Sequence, residues 1–176
     1  MPLDLTLRSC GVRSWRERDL PSLVTQANNR NVWRNLRDRF PHPYSEADGR
    51  AFLRLARDLK PETLFAITVA DQAVGGIGYV LQNDVDRVSA EVGYWLGESF
   101  WGRGIVTEAL SAVTEHAASA HGLTRLFALP FVDNAASCRV LEKVGYVLEA
   151  RLRRSAIKDG TIIDQFQYAF IVPSGS

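Results

Sequence analysis

The chain has 176 residues, of which 46% are hydrophobic and 23% charged, and its formal net charge is +1. This composition is typical of a soluble globular protein, and the length allows a substantial core, so we predict a single domain over residues 1–176. No apolar run reaches the roughly 18 residues that a membrane span needs, and the N-terminus lacks the regions of a secretory signal.

Two further features of the composition bear on location and partners. Cys10 and Cys138 are too few for a disulfide framework and are expected to be free thiols, which favours a cytoplasmic protein without a membrane partner. Residues 1–60 hold 12 Lys/Arg against 7 Asp/Glu, whereas residues 61–176 hold 9 against 13. This asymmetry indicates either an anionic partner or a solvated helix face. Because no nucleic-acid signature is present, we expect no nucleic-acid partner.

The first third of the chain predicts one strand and three helical segments. Residues 5–15 have strand character, and Asp19 is a suitable N-cap for a helix that ends near Asn28. Residues 31–40 predict a short helical segment. The next helix begins with the capping box of Ser45 and Asp48 and extends to about residue 59.

The remaining two thirds alternate between strands and helices. Strands are predicted over residues 64–70, 74–81, 88–96, 124–131, 146–157 and 161–172, and helices over residues 105–121 and 135–144. Three glycines within residues 74–81 indicate a bulge or a close backbone approach. The second of these helices is capped by Asn134 and closed by Gly145. The strands on either side of the first helix should be parallel, which predicts an α+β layered domain with a mixed sheet.

The helix from residue 105 has a periodic apolar face and ends at Gly122. Its predicted buried positions are Ile105, Ala109, Val113 (or Ala112), Ala117 and Ala120.

The junction Trp101-Gly-Arg-Gly104, between the strand 88–96 and this helix, is the strongest functional signal. The first N–H groups of a helix lack intrahelical partners and carry partial positive charge, so a glycine turn opening a helix can bind phosphate. The alternative is that the two glycines only form a tight turn. A P-loop is excluded because its pattern is absent, and a dinucleotide fingerprint is excluded because Thr107 replaces its third small residue.

Glu91-Val-Gly-Tyr-Trp-Leu96 followed by Trp101-Gly-Arg-Gly-Ile-Val-Thr-Glu-Ala109 resembles the acetyl-CoA signature of the GNAT superfamily of N-acetyltransferases. The chain is most similar to the RimJ/RimL-like branch that acetylates ribosomal-protein N-termini. Gly104 matches the central glycine of the loop pattern Q/R-x-x-G-x-G/A, whereas Trp101 and Val106 depart from it. The resemblance implies a GNAT-like fold, with a central, mostly antiparallel sheet containing one parallel pair and flanked by helices.

The same resemblance implies a binding site for acetyl-CoA as co-substrate. The pantetheine arm is expected along the backbone of Tyr94, Trp95 and Leu96. The pyrophosphate is expected at the N–H groups of Trp101, Gly102, Arg103, Gly104, Ile105, Val106 and Thr107. The Arg103 side chain either adds charge or is a solvated loop arginine.

Catalytic residues are also carried over from the resemblance. Asn134-Ala-Ala-Ser137 matches an Asn-x-x-Ser in which the Asn contacts the cofactor and the Ser lies near the thioester sulfur. Ser137 is therefore the candidate general acid, and the alternative is a neutral helix residue. Glu91 is the candidate base, acting through a water, unless it forms a structural salt bridge, and we hypothesise that no single base is indispensable. No metal is predicted, since the three histidines lack metal-ligand spacing.

The acceptor site is expected in residues 33–44, which cover the active site in similar enzymes. Trp33, Phe40 and Tyr44 would form an apolar wall, and Arg34 or Arg37 would meet a carboxylate, unless the segment is merely a packed lid. The implied function is acetyl-CoA-dependent transfer of an acetyl group to a primary amine of a protein N-terminus, an amino acid or a small molecule, by direct attack in a ternary complex. The alternatives are a non-catalytic or regulatory acyl-CoA-binding protein and a domain that binds another phosphate ligand. The protein is expected to be a monomer or a homodimer.

Overall fold

The computed structural model describes residues 2–174, so Met1 and the last two residues of the predicted domain lie outside the described residues. The strands are β1 (Asp4–Thr6), β2 (Gly11–Ser14), β3 (Leu64–Val69), β4 (Gln72–Leu81), β5 (Ser89–Leu96), β6 (Arg125–Ala128), β7 (Val147–Lys158) and β8 (Thr161–Ile171). The α-helices are α1 (Leu20–Ala27), α2 (Arg30–Trp33), α3 (Glu46–Asp58), α4 (Ile105–His121) and α5 (Ala135–Val144).

The strands form a sheet in the order β1-β2-β3-β4-β5-β6-β8-β7. The pairs β1–β2, β2–β3, β3–β4, β6–β8 and β7–β8 are antiparallel. The pair β5–β6 is parallel, with Ser89 opposite Arg125 and Glu91 opposite Phe127. The predicted α+β fold, with a mixed sheet containing one parallel pair, is confirmed.

The chain groups into two compact units. The first comprises the residues up to Gly78 together with Tyr94–Ala109, and the second comprises Tyr79–Gly93 together with the residues from Leu110 onward. The single domain over residues 1–176 therefore stays a prediction. No helix within residues 2–174 is long and apolar enough to cross a membrane.

The helices of the first unit enclose an apolar cluster. Its buried members are Leu20, Leu23, Ala27, Tyr44 and Leu53. The predicted capping box starts α3, since the Ser45 hydroxyl accepts from the Asp48 N–H at 3.2 Å and the Asp48 carboxylate accepts from the Ser45 N–H at 2.8 Å. The predicted close approach of the β4 glycines is also present, because a Cβ on Gly75 would lie 2.4 Å from the Trp95 carbonyl oxygen.

A buried ion pair in the first unit corrects the predicted role of Asp19. Its carboxylate accepts two hydrogen bonds from the Arg13 guanidinium, at 2.8 and 2.9 Å, and one from the Arg16 N–H at 2.8 Å. The side chains of Arg13 and Asp19 are each only 4% exposed. Asp19 therefore makes no side-chain capping bond to α1.

Two predicted elements of the first unit were wrong in extent. The strand over residues 5–15 is two strands, β1 and β2, because the chain turns where the Leu7 N–H donates to the Cys10 carbonyl at 2.8 Å. The helical segment over residues 31–40 is α-helical only through α2. Beyond α2, Leu36 and Phe40 donate to carbonyls three residues earlier, which is the bonding of isolated turns.

The second unit contains the rest of α4, then β6, α5 and the β7–β8 hairpin. The caps of α5 are as predicted: the Asn134 side-chain oxygen accepts from the Ser137 N–H at 3.2 Å, and Gly145 has φ +102°. The predicted α4 face is buried at Ile105, Ala109, Val113 and Ala117, but Ala120 is exposed because the last turn of the helix faces solvent there. The strand β6 is shorter than the predicted 124–131, and Phe131 makes only an isolated bridge to Gln165.

Candidate functional site

The glycine loop opens α4 with two left-handed residues. Gly102 has φ +74° and Gly104 has φ +75°, a conformation that residues with a Cβ adopt only at a cost. A Cβ built on either glycine would meet no heavy atom within 4 Å. The loop is therefore open on the side where these Cβ atoms would lie, so an anion can approach its backbone closely.

The N-terminus of α4 presents backbone donors at this loop. The Glu108 N–H donates to the Gly104 carbonyl at 3.2 Å. The N–H groups of Ile105, Val106 and Thr107 precede this bond in the helix, so they belong to the set that lacks intrahelical partners and carries the positive end of the helix dipole. The loop and helix together form a phosphate-binding arrangement.

Trp101 makes two hydrogen bonds to residues that precede the glycine loop. Its backbone N–H donates to the Glu98 carbonyl at 3.1 Å, and its indole Nε1 donates to the Leu96 carbonyl at 2.8 Å. The predicted use of the Trp101 N–H for pyrophosphate would require breaking the first of these bonds. Arg103 is exposed, donates to the Ser99 carbonyl at 2.8 Å and lies 5.2 Å from the Phe100 ring centroid, with further N–H donors remaining on its guanidinium.

The backbone groups of β5 alternate between its two edges. The Val88 carbonyl accepts from the Thr124 N–H, on the edge next to β6, whereas the Gly97 N–H donates to the Val74 carbonyl, next to β4. Successive residues of a strand point their N–H and C=O groups to opposite edges. The backbone groups of Tyr94 and Leu96 therefore lie on the same edge as the Val88 carbonyl, and those of Trp95 lie on the same edge as the Gly97 N–H. The parallel register with β6 extends only from Ser89 to Glu91, while β5 continues to Leu96.

Two of the predicted acceptor residues, Phe40 and Tyr44, pack together in the first unit. The Phe40 ring packs 5.1 Å from that of Tyr44 and 5.4 Å from that of Trp95. Tyr44 is 5% exposed, and burial, with a smaller contribution from Asp48, raises its pKa to about 12. Tyr44 is thus part of the core, and Phe40 links that core to β5.

Trp33, the third aromatic residue of the predicted acceptor wall, lies near His42 and Arg30. Its ring is 5.8 Å from that of His42, and the Arg30 guanidinium lies 5.2 Å from its centroid. Arg34 and Arg37 follow α2 and are exposed. The structure therefore places Trp33 beside the exposed Arg30 and His42. A shared wall of Trp33 with Phe40 and Tyr44 stays a prediction.

A clamp that the sequence did not reveal joins two asparagines just ahead of the predicted acceptor segment to Glu98, which precedes the glycine loop. The Glu98 carboxylate accepts from the Asn29 side-chain amide at 2.8 Å and from that of Asn31 at 3.0 Å. Asn29 also caps α2, through a 2.8 Å bond from the Asn31 N–H to its side-chain oxygen. The only hint in the sequence was that Asn29 and Asn31 are two residues apart. Their shared partner, Glu98, lies more than 60 residues away and could not be identified from that spacing.

Glu108 also stabilises the start of α4. Its carboxylate accepts from the Ser9 N–H at 2.9 Å, and this bond, with help from Arg8, lowers the pKa of Glu108. The Cys10 thiol lies 3.7 Å from the Ile105 carbonyl, and burial, reinforced by Glu108, raises its pKa to about 11. These contacts give Glu108 a structural role at the start of α4.

The remaining predicted residues belong to the second unit. Glu91 is half-buried on β5, and Asn134 and Ser137 are half-buried at the start of α5. The adjacent Cys138 is buried, and burial raises the pKa of its thiol, which disfavours the thiolate that a covalent acetyl-enzyme would need. Among residues 2–174, no three His, Cys, Asp or Glu side chains form a possible metal group.

The chain is similar to known acetyltransferases. The family model for the acetyltransferase (GNAT) domain matches residues 10–147. The uncharacterised N-acetyltransferase YoaA of Bacillus subtilis is 35% identical over 102 residues, covering 58% of this chain and 57% of that protein. The ribosomal-protein-serine acetyltransferase of Escherichia coli is 33% identical over 111 residues, covering 63% of this chain.

The matched region spans 62% of the Escherichia coli relative's own length. Among solved structures, RimL, a ribosomal α-N-protein acetyltransferase in complex with coenzyme A, superposes with a TM-score of 0.85 at 23% identity. That match covers 97% of this chain and 98% of the RimL chain. At this identity the superposition supports the fold.

Proposed function

Since the chain belongs to the acetyltransferase (GNAT) domain family, we propose that it is an acetyl-CoA-dependent N-acetyltransferase acting on a primary amine. The observation that carries the proposal is the loop of left-handed Gly102 and Gly104 at the N-terminus of the 17-residue helix α4. This arrangement suits the pyrophosphate of coenzyme A, because unpaired N–H groups and the helix dipole both stabilise negative charge.

In this proposal the first unit binds the pyrophosphate and the pantetheine arm of acetyl-CoA. The pyrophosphate is held by the N–H groups from Gly102 to Thr107, and Arg103 adds a charge-assisted hydrogen bond. The pantetheine amides pair with the backbone edge of β5 that carries Tyr94 and Leu96, and Trp95 contributes its side chain rather than its backbone. Trp101 holds the end of β5 against the loop through its indole, so that strand edge and anion site keep a fixed separation.

The transfer itself needs one acid and at most a weak base. The amine nitrogen bonds to the thioester carbonyl carbon, the carbon–sulfur bond breaks, the amine loses a proton and the leaving thiolate gains one. We propose that the Ser137 hydroxyl protonates the thiolate, that Asn134 contacts the cofactor, and that Glu91 receives the amine proton through a water. The proton held by Glu91 then returns through solvent to the Ser137 oxygen, so both side chains are restored and the net transfer is from the amine to the thiolate. The thiolate can ultimately accept that proton itself, so Glu91 is not indispensable.

The other parts of the proposal follow from the family and from the free thiols. The acceptor is a protein N-terminus, an amino acid or a small amine, and no nucleic acid takes part. Two buried free cysteines fit a reducing cytoplasm. The protein acts as a monomer or a homodimer.

Replacement of Ser137 by alanine is expected to lower kcat roughly a hundredfold, at the lower end of what general acid catalysis contributes. The KM for acetyl-CoA should change little, because the capping bond of α5 uses the Ser137 N–H, which alanine retains. Release of the coenzyme A thiol, followed with acetyl-CoA and a panel of primary amines, measures both constants.

Ser119→Ala, which removes an exposed serine from α4, is the matched control and should behave as the wild type. An unchanged kcat in Ser137→Ala would remove Ser137 from the mechanism but leave the acetyltransferase assignment standing. Acetyl-CoA binding without thiol release for any amine would instead favour the non-catalytic acyl-CoA-binding alternative.

A further inference from the structure

Residues 29–44, which include the predicted acceptor segment 33–44, concentrate exposed positive charge. The four arginines in this range are all exposed, and its single acidic residue is Asp38. These arginines are Arg30, Arg34, Arg37 and Arg39. Such an excess of one sign raises the local concentration of ligands of the opposite sign.

Most arginines elsewhere are neutralised by carboxylates. Arg125 binds Glu149 at 2.6 Å and Arg151 binds Asp164 at 2.7 Å. Arg34 and Arg39, in contrast, take no part in the ion pairs that form within residues 2–174. Their charge is available to a ligand.

This charged segment lies beside the candidate cofactor residues of the first unit. Phe40 packs against Trp95 on β5, and Asn31 binds Glu98 just ahead of the glycine loop. Arg30 and Arg34 are four residues apart across α2, a spacing that places both on one helical face. An acceptor amine that approaches the end of β5 over this segment would therefore pass the arginines.

We propose that the acceptor is the N-terminus of an acidic polypeptide, whose first carboxylates bind Arg34 and Arg39. This inference rests on the proposed acetyltransferase function and specifies its substrate class. The cations are distributed over ten residues of sequence, which suits several carboxylates along an extended chain better than one compact anion. Basic peptides and polyamines are disfavoured, because like charges repel them from the segment.

The test compares three peptides that share their first two residues and differ only at positions three to six, which are acidic, neutral or basic. Thiol release gives kcat/KM for each. An exposed ion pair contributes about a threefold factor, and the factors multiply, so two pairs should give the acidic peptide roughly a tenfold advantage over the neutral one. The advantage should shrink as salt rises from about 0.05 to 0.5 M, since screening shortens the range of these interactions.

The double variant Arg34→Gln/Arg39→Gln should acetylate the acidic and neutral peptides equally well, with an unchanged KM for acetyl-CoA. Arg153→Gln, which removes an exposed arginine from β7, is the matched control and should keep the tenfold preference. Transfer to amines without preference for the acidic peptide, or a preference that survives the double variant, would overturn this inference alone. Absence of both acetyl-CoA binding and transfer would overturn the proposed function and this inference with it.

Discussion

Substitution of Gly104 by valine is expected to weaken acetyl-CoA binding about a thousandfold while leaving the protein folded. Because Gly104 has φ +75°, a β-branched residue there is strained by about 1–3 kcal/mol and drives the loop toward another conformation. If two charge-assisted hydrogen bonds to the pyrophosphate are lost, at about 2 kcal/mol each, the affinity falls by roughly three powers of ten. Isothermal titration of the variant with acetyl-CoA measures the loss.

Gly160→Val separates backbone strain from loss of the anion site. Gly160 has φ +74°, and a Cβ built there also meets no atom within 4 Å, but it lies in the β7–β8 turn, which contains none of the candidate cofactor residues. This variant should lose a similar amount of stability and bind acetyl-CoA as the wild type does. Equal affinities for the Gly104 variant and the wild type would remove the loop from the binding site.

Arg13→Met is expected to lower the free energy of unfolding by about 3–5 kcal/mol. Removing the guanidinium leaves the Asp19 carboxylate buried without its charged partner, which costs far more than the pair itself contributes. The hydrogen bond to Asp19 is also the main reason why the pKa of Arg13 is raised. Chemical denaturation of the variant measures the change.

Two comparisons test this explanation of the Arg13 effect. The double variant Arg13→Met/Asp19→Leu should regain much of the loss, because no uncompensated charge remains. Arg50→Gln breaks the exposed i,i+4 pair with Glu46 and should cost no more than about 0.5 kcal/mol. A loss below about 1 kcal/mol for Arg13→Met would contradict the importance of the buried pair.

The features that were predictable from sequence are local ones. The capping box of α3, the Asn134 cap and the closing Gly145 each join residues within a few positions of one another, and the structure contains all three. Asp19 had the same local signature as a cap. Its carboxylate instead pairs with Arg13 on β2, and nothing in the local pattern distinguishes these outcomes.

In the candidate site, too, the local features were predictable from the sequence and the long-range contacts were not. The motif located the glycine loop, in which Gly102 and Gly104 have left-handed backbone conformations. The indole bond from Trp101 to Leu96 and the clamp of Asn29 and Asn31 on Glu98 were not predictable, because tertiary packing chooses such partners. The edge of β5 on which the backbone groups of Trp95 or Tyr94 lie is likewise set by tertiary packing, because it depends on how β5 pairs with its neighbouring strands.

The most direct test of the account is a thermal-unfolding measurement with acetyl-CoA, coenzyme A and ATP side by side. A ligand at a hundred times its Kd stabilises the folded state by about 2.7 kcal/mol, which for a protein of this size raises Tm by roughly 5–10 °C. We predict this shift with both coenzyme A species and none with ATP. If neither coenzyme A species shifts Tm at millimolar concentration, the acetyl-CoA assignment is contradicted and the glycine loop is an ordinary turn.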